Sequence, residues 1–390
     1  MTKPMMRAAV LTLVTLCGIA TGTGRAGRAL AQTPASAAPP VERLSVPAGF
    51  VVEVYAANVP MARQLAVAPS GTVFVGAMRL GGKGGQSVHA LVDRNRDGKV
   101  DEVVPVASGL ESPNGVTFHN GALYVAEFTR ILRFDNVEAN LGKPQTPQVV
   151  IDKLPGNAQH GWKTIRFGPD GKLYVTIGAP CNVCEVKAEE PRTASIARMN
   201  PDGTGFEIVV RGVRNSVGLA WHPTTRELWY TNNGRDMLGD DLPPDTLNRV
   251  TKPGQDFGFP YCHAGDIPDP EFSKVKPCGT FTPPAQKLGA HVASLGLAFY
   301  TGPMFPAEYR HQVFIAEHGS WNRSKKSGYR VTLVRLDEQG RAVGYEPFMQ
   351  GWLEGEKAWG RPADVAVLAD GSLLVSDDTA NAVYRVRYRR

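Results

Sequence analysis

The chain has 390 residues, 42% hydrophobic and 21% charged, with a formal net charge of +6. That composition can build a core and carries only modest charge, which excludes a disordered or low-complexity chain. Its 42 Gly and 30 Pro residues interrupt the sequence too often for an all-α bundle, leaving one large domain or two average ones.

Residues 1–31 hold Lys3, Arg7, Arg25 and Arg28 and no acid, an apolar run from Ala8 to Ala20, and Ala29-Leu30-Ala31 ahead of Gln32. A basic start, a short apolar stretch and a small-residue exit are the parts of a secretory signal peptide. The run is short for a membrane span, and no later stretch approaches the ~18 apolar residues that one needs, so the mature chain is expected not to cross a membrane. Cys17 follows the bulky Leu16, where a lipid-anchoring site wants a small residue. Without this segment 39 basic and 37 acidic residues remain, which speaks against a nucleic-acid surface. The expected location is periplasmic or secreted, and the four remaining cysteines, an even number, suit an oxidising compartment.

Residues 32–45 are rich in Pro, Ala and Ser and read as a flexible lead-in. After them one pattern recurs: a short apolar alternating run, a tight turn, a second apolar run. It appears at 65–77, 115–127, 165–178, 219–233, 297–320 and 365–378. The turn glycines Gly71, Gly121 and Gly171 lie 50 residues apart, and the last two units carry insertions. A period of that length, with strands and little helix in each unit, predicts an all-β, six-bladed β-propeller over 46–390. Loops of such a fold converge at a mouth of the central channel, so active residues should sit just before or after the recurring strands.

In chain order, the glycine-rich run 81–85 lacks the GK[ST] ending of a phosphate-binding loop and reads as a flexible loop at the mouth. Asp93, Asn95, Asp97 and Asp101 follow the EF-hand ligand spacing with Gly98 at position 6, but Val104 replaces the closing Glu. They predict either a Ca²⁺ site, closed by Asp101 or Glu102, or a plain Asp-Gly turn. Next come Gln159-His160-Gly161-Trp162-Lys163, whose His has the chemistry of a general base, and Arg214-Asn215, adjacent donors suited to an anion or quinone. Asn232 to Asp241 supplies carboxylates, amides and loop carbonyls of the kind that Ca²⁺ prefers. His291, then Glu317-His318-Gly319-Ser320-Trp321-Asn322-Arg323, then Gly360-Arg361-Pro362-Ala363-Asp364 complete the polar clusters.

The cysteines fall as Cys181-x-x-Cys184 and as Cys262 with Cys278. Glu185 after the first pair excludes c-type haem attachment, and two disulfides are expected, 181 with 184 and 262 with 278. The tight CxxC bridge leaves a redox role open.

The stretches HGWK, FGPDGKLYVTIGAPCNVC, GVRNSVGLAWHP, NNGRDMLGDDLPPDTLN, FGFPYC and EHGSWNRS resemble the sorbosone dehydrogenase branch of the soluble sugar dehydrogenases that depend on pyrroloquinoline quinone (PQQ), over essentially residues 46–390. The resemblance implies PQQ and Ca²⁺ in the channel mouth and oxidation of the aldehyde or hemiacetal carbon of a sugar. Electrons would pass to an acceptor such as a periplasmic cytochrome or a quinone. It implies His160 as general base, Arg214 and Asn215 at the quinone oxygens, and the backbone carbonyls of Gly234 and Arg235 at Ca²⁺. Arg361 would bind a cofactor carboxylate and Gln64 would face the substrate. The better-known glucose branch has a lysine where His318-Gly319-Ser320 stand, an arginine at Ala363 and a threonine at His291. Arg323, Lys163 and His318 are therefore the expected replacement cations. Two other readings are a Ca²⁺-dependent propeller hydrolase of the lactonase kind, and a propeller that only binds a partner.

Overall fold

A computed structural model describes residues 38–80, 83–156 and 159–389. The expected signal peptide, Cys17, residues 32–37 of the lead-in and two of the loop glycines, Gly81 and Gly82, lie outside the described residues. Among the described residues the only helices are short 3₁₀ turns, and none is long and apolar enough to cross a membrane.

The architecture is the expected six-bladed propeller: five four-stranded antiparallel sheets and a sixth that gains a short parallel fifth strand, Gln255–Asp256. The six recurring hairpins are the two innermost strands of the six blades. In the first blade Ala62–Val67 pairs with Val73–Ala77, in the second Gly115–His119 with Ala122–Ala126, and in the third Ile165–Phe167 with Leu173–Ile177. The fourth uses Gly218–Trp221 and Leu228–Asn232, the fifth Ser294–Phe299 and Val313–Glu317, the sixth Pro362–Val367 and Leu373–Asp377. Most of the second strands are buried at every residue, because neighbouring blades cover both faces; they read as unbroken apolar runs such as LYVTI. Outer strands such as Gln148–Ile151 are half-exposed.

The turn glycines are required by backbone geometry rather than space. Gly71, Gly121 and Gly171 have φ of +100°, +79° and +74°, and a Cβ there would meet nothing within 4 Å.

The ring closes between the first and last of the described strands. Phe50–Ala57 pairs antiparallel with Ala382–Tyr388, in register Phe50↔Tyr388, and supplies the outer strand of the sixth blade. Phe50 sets its ring edge-on against Phe305, Tyr309 and Phe348 of the fifth blade at 4.7, 5.2 and 5.1 Å, so one side chain ties the closing strand to two blades. The end of the segment read as a flexible lead-in also docks on the ring. Ser45 and Gln350 exchange backbone hydrogen bonds of 2.7 and 3.0 Å, and Leu44 is buried; these contacts outweigh the flexible composition.

Phe50→Ala should destabilise the ring by ~3–5 kcal/mol, the range for removing a buried aromatic. Equilibrium urea unfolding of the variant against the parent measures it; a loss below ~1 kcal/mol would show that the closing strand does not depend on this ring.

Candidate active site at the channel mouth

A cavity of about 580 Å³ opens at one end of the channel, a size that suits a small organic molecule. Its wall comes from residues just ahead of the inner strands and just after the second ones, in five of the six blades. They are Arg63 and Met78 from the first, His160, Trp162 and Asn182 from the third, Asn215, Val217 and Asn233 from the fourth, Leu295, His318 and Trp321 from the fifth, and Arg361 from the sixth.

His160 is buried, and its Nδ1 lies 2.7 Å from the Ala179 carbonyl oxygen. A carbonyl only accepts, so Nδ1 carries the proton and Nε2 keeps the lone pair. Burial first, and the Arg214 charge second, push the imidazole down to about 4, against the pull of the Ala179 hydrogen bond. His160 is therefore neutral near pH 7, the state a general base needs.

Arg214 is 4% exposed, and all five of its N–H donors are engaged. Nε and Nη2 reach the backbone and side-chain oxygens of Asn182 at 2.8 and 2.9 Å, and Nη2 also pairs with Asp236 at 2.7 Å. Nη1 donates to the Gly234 carbonyl at 2.6 Å and to that of Asn233 at 3.4 Å. The guanidinium thus acts on the cavity as a fixed positive charge.

Arg361 donates to the carbonyls of His318 and Gly319 at 2.9 and 2.7 Å and lies over the Tyr329 ring at 5.4 Å. Opposite it, Arg63 and His318 both contact Asp378, at 2.9 and 2.8 Å. Burial lowers His318 to about 4 in spite of Asp378, with Arg361 and Arg63 adding to the shift. Asn215 lines the wall and holds its loop through backbone bonds to Asn232 and Asn233. His291 also lines it; Nε2 meets the Gly239 carbonyl at 2.9 Å and Nδ1 meets Asn322, which in turn donates to Asp236.

Three sequence assignments, Gln64, Lys163 and Arg323, have side chains that end elsewhere. Gln64 exchanges hydrogen bonds with the backbone of Ile165 across the channel, 2.6 and 3.2 Å, and is a structural link between the first and third blades. Lys163 is fully buried, its Nζ donating to the carbonyls of Pro155 and Gly161 at 2.7 Å each; burial lowers it to about 7. Arg323 ties its loop to Asp240 and Asp241. The Arg235 side chain pairs with Asp269 and Glu271. Gln64, Lys163 and Arg323 are absent from the cavity lining, because each long side chain finds a carbonyl or carboxylate nearer than the channel.

The Gly234 carbonyl, expected to face Ca²⁺, accepts from the Arg214 guanidinium. A positive group on that oxygen does not fit a divalent cation there. In the 93–101 loop the acceptors are turned inward on the backbone. Asp93 takes the Gly98 N–H, Asn95 that of Asp97, Asp97 that of Lys99 and Asp101 that of Arg94. These bonds shape the Asp-Gly turn, which both alternatives contain.

A PQQ-sized planar anion is a better match. Three guanidiniums line the cavity, with Trp162 and Trp321 among its walls, and two buried lining atoms, Trp162 Nε1 and Asn233 Oδ1, have no hydrogen-bond partner among the described residues. The sequence reading missed Arg63, Asn182, Asp378 and Asp245. Burial raises Asp245 to about 7, and it accepts the N–H groups of Gly234 and Ser294. Asp236 was legible as part of Asn232 to Asp241; Arg63 and Asp378 lie at the extremes of the chain and no local signal joins them. Both expected disulfides are present, Cys181–Cys184 and Cys262–Cys278.

Comparison with known proteins places the chain in context. An uncharacterized protein of Borreliella burgdorferi is 35% identical over 361 residues, 89% of this chain and 91% of its own length. Among solved structures, the iodide form of a Trichoderma reesei protein of carbohydrate-active enzyme family AA12 superposes with a TM-score of 0.75 at 18% identity, covering 88% of this chain and 97% of that one. The holo form of the PQQ domain of a pyranose dehydrogenase from Coprinopsis cinerea gives 0.73 at 17% identity, with the same coverage. At such identities the likeness is one of fold. The chain belongs to the family described as Domain of unknown function (DUF7133), whose model matches residues 36–384.

Proposed function

We propose that the protein is a PQQ-dependent oxidoreductase that oxidises the aldehyde or hemiacetal carbon of a sugar, an aldose or a sorbosone-like substrate, in the periplasm or outside the cell. The observation that carries this reading is the cavity itself: three guanidiniums, aromatic walls and a neutral buried imidazole at one channel mouth. The PQQ-binding fold neighbour supports it, as do the motifs shared with sugar dehydrogenases. Arg361, Arg63 and Arg214 would supply the positive field for the cofactor carboxylates, with the walls of Trp162 and Trp321 beside its rings. PQQ, when bound, supplies a two-electron acceptor for hydride. His160 would take the proton of the substrate's C1 hydroxyl at Nε2, the ring held in the right tautomer by the Ala179 carbonyl. Arg214, saturated with hydrogen bonds, contributes by charge: it adds to the burial that keeps His160 neutral and favours negative charge developing in the cavity. No step is assigned to Ca²⁺, given the guanidinium on the Gly234 carbonyl. A periplasmic cytochrome or a quinone is the proposed acceptor class.

Reconstitution tests the reading. The purified protein should bind PQQ, followed by absorbance, and reduce a dye when aldoses or sorbosone are added. No binding, or no turnover with any of these sugars, overturns it; parallel assays in EDTA and in Ca²⁺ read the metal dependence. His160→Ala should keep PQQ binding and lower turnover by ~10²-fold or more.

The pH profile has a definite sign. His160 serves as base only when neutral, and its folded value of about 4 lies below the ordinary 6.5. For this group kcat/KM should stay level from neutral pH down to ~5 and fall only as the pH drops through about 4. An acid limb near 6.5 would show that the imidazole is not held in this environment.

A further inference from the structure

One short segment holds both residues to which the chemistry was assigned. It follows the strand Leu173–Ile177 of the third blade. The Ala179 carbonyl accepts from His160 Nδ1 at 2.7 Å, and the Ala179 N–H donates to the Arg214 carbonyl at 2.8 Å. Three residues on, Asn182 grips the other end of Arg214. Its backbone oxygen accepts from Nε at 2.8 Å, and its Oδ1 accepts from Nη2 at 2.9 Å and from the Asp236 N–H at 2.8 Å. Its Nδ2 donates to the Asp236 carbonyl at 3.1 Å. Asn182 therefore bonds both members of the Arg214–Asp236 ion pair and fixes the fork of the first against the carboxylate of the second. The Cys181–Cys184 disulfide closes the four-residue loop whose interior is Asn182 and Val183. Val183 and Cys181 pack with Ala179 and Phe259, so the loop is anchored on its other side as well.

We propose that Asn182 is the positioning residue for Arg214, and that the Cys181–Cys184 disulfide is the brace that holds it in place, so that breaking this one bond loosens the active site without unfolding the ring. The proposal rests on the PQQ-oxidoreductase reading only for its effect on turnover; the clamp itself is a property of the protein without cofactor. The chemistry that opens it is thiol–disulfide exchange with a dithiol. The dithiol closes to its own disulfide, and the two electrons and two protons it gives up leave Cys181 and Cys184 as thiols. Both cysteines are half-buried, within reach of a small reductant. Once the loop is open, the main chain of residues 181–184 regains freedom, and Asn182 can no longer keep its four hydrogen bonds in one geometry.

The test uses the whole protein in two states. Without PQQ, dithiothreitol is added until alkylation and mass mapping show 181–184 reduced and 262–278 intact, with circular dichroism confirming that the fold persists. Hydrogen exchange at the Asp236 amide and at Arg214 Nε–H should then accelerate by about 10-fold or more. Asn182→Ala should reproduce this with the disulfide intact, while Asn182→Asp, which keeps an acceptor oxygen for Nη2 and the Asp236 N–H, should stay closer to the parent. In the reconstituted enzyme, reduction and Asn182→Ala should lower kcat by about 10-fold with a smaller change in KM, and should move the acid limb of the pH profile upward as the Arg214 charge is displaced from His160. Unchanged exchange at both sites after reduction, or in Asn182→Ala, overturns the proposal. Faster exchange in a protein that shows no PQQ activity supports the clamp and rejects the oxidoreductase reading, so the two fail separately.

Discussion

A guanidinium taken out of water must be met by acceptors on every side, and the mouth of the channel is arranged around that requirement. Arg214 is buried with five donors to satisfy, and they draw in two loop carbonyls of the fourth blade, Asp236, and an asparagine of the third. Arg63 needs Asp378 from the far end of the chain and Asn114 from the second blade. Arg361 takes the carbonyls of the fifth. Each cation stitches at least two blades together while facing one cavity, so what concentrates positive charge there is also what fixes the loops that surround it.

The same arrangement sets the protonation states. His160 and His318 sit beside guanidiniums in a dry wall and are held neutral well below their ordinary range. Asp378, although its burial would raise it, is held below the usual carboxylate range by His318 and Arg63, while Asp245, where burial outweighs two backbone N–H groups and the Arg214 charge, is pushed up to about 7. Two buried aspartates thus end on opposite sides of their ordinary value, according to whether cationic partners bond them directly.

Much of the fold was legible because it is local. A hairpin with Gly at a left-handed turn, repeated at a nearly fixed period, specifies blades regardless of what they pack against, and Gly71, Gly121 and Gly171 all carried that signal. The site was legible where residues lie next to a recurring strand, as His160, Asn215, His318 and Arg361 do. It was misread where a long side chain chooses among partners that sequence does not reveal. Lys163 turned to carbonyls of its own loop and Gln64 to a strand two blades away. Asn182 stood in plain view inside the CxxC motif, but its value depends on Asp236, 54 residues on, and no spacing rule links them.

The closing strand carries a consequence for how the molecule is made. Phe50–Ala57 is synthesised before any of the six recurring hairpins and its partner, Ala382–Tyr388, after all of them. Five blades can assemble in order as they appear, each on its predecessor, while Phe50–Ala57 stays an unpaired edge until Ala382–Tyr388 has been made. During that interval Phe50 and the aromatic seat that awaits it on the fifth blade are both uncovered. A nascent chain of this kind depends on protection of one sticky edge until Ala382–Tyr388 arrives, and a chain that stopped before that strand would lose the closure of the ring rather than a fringe of it.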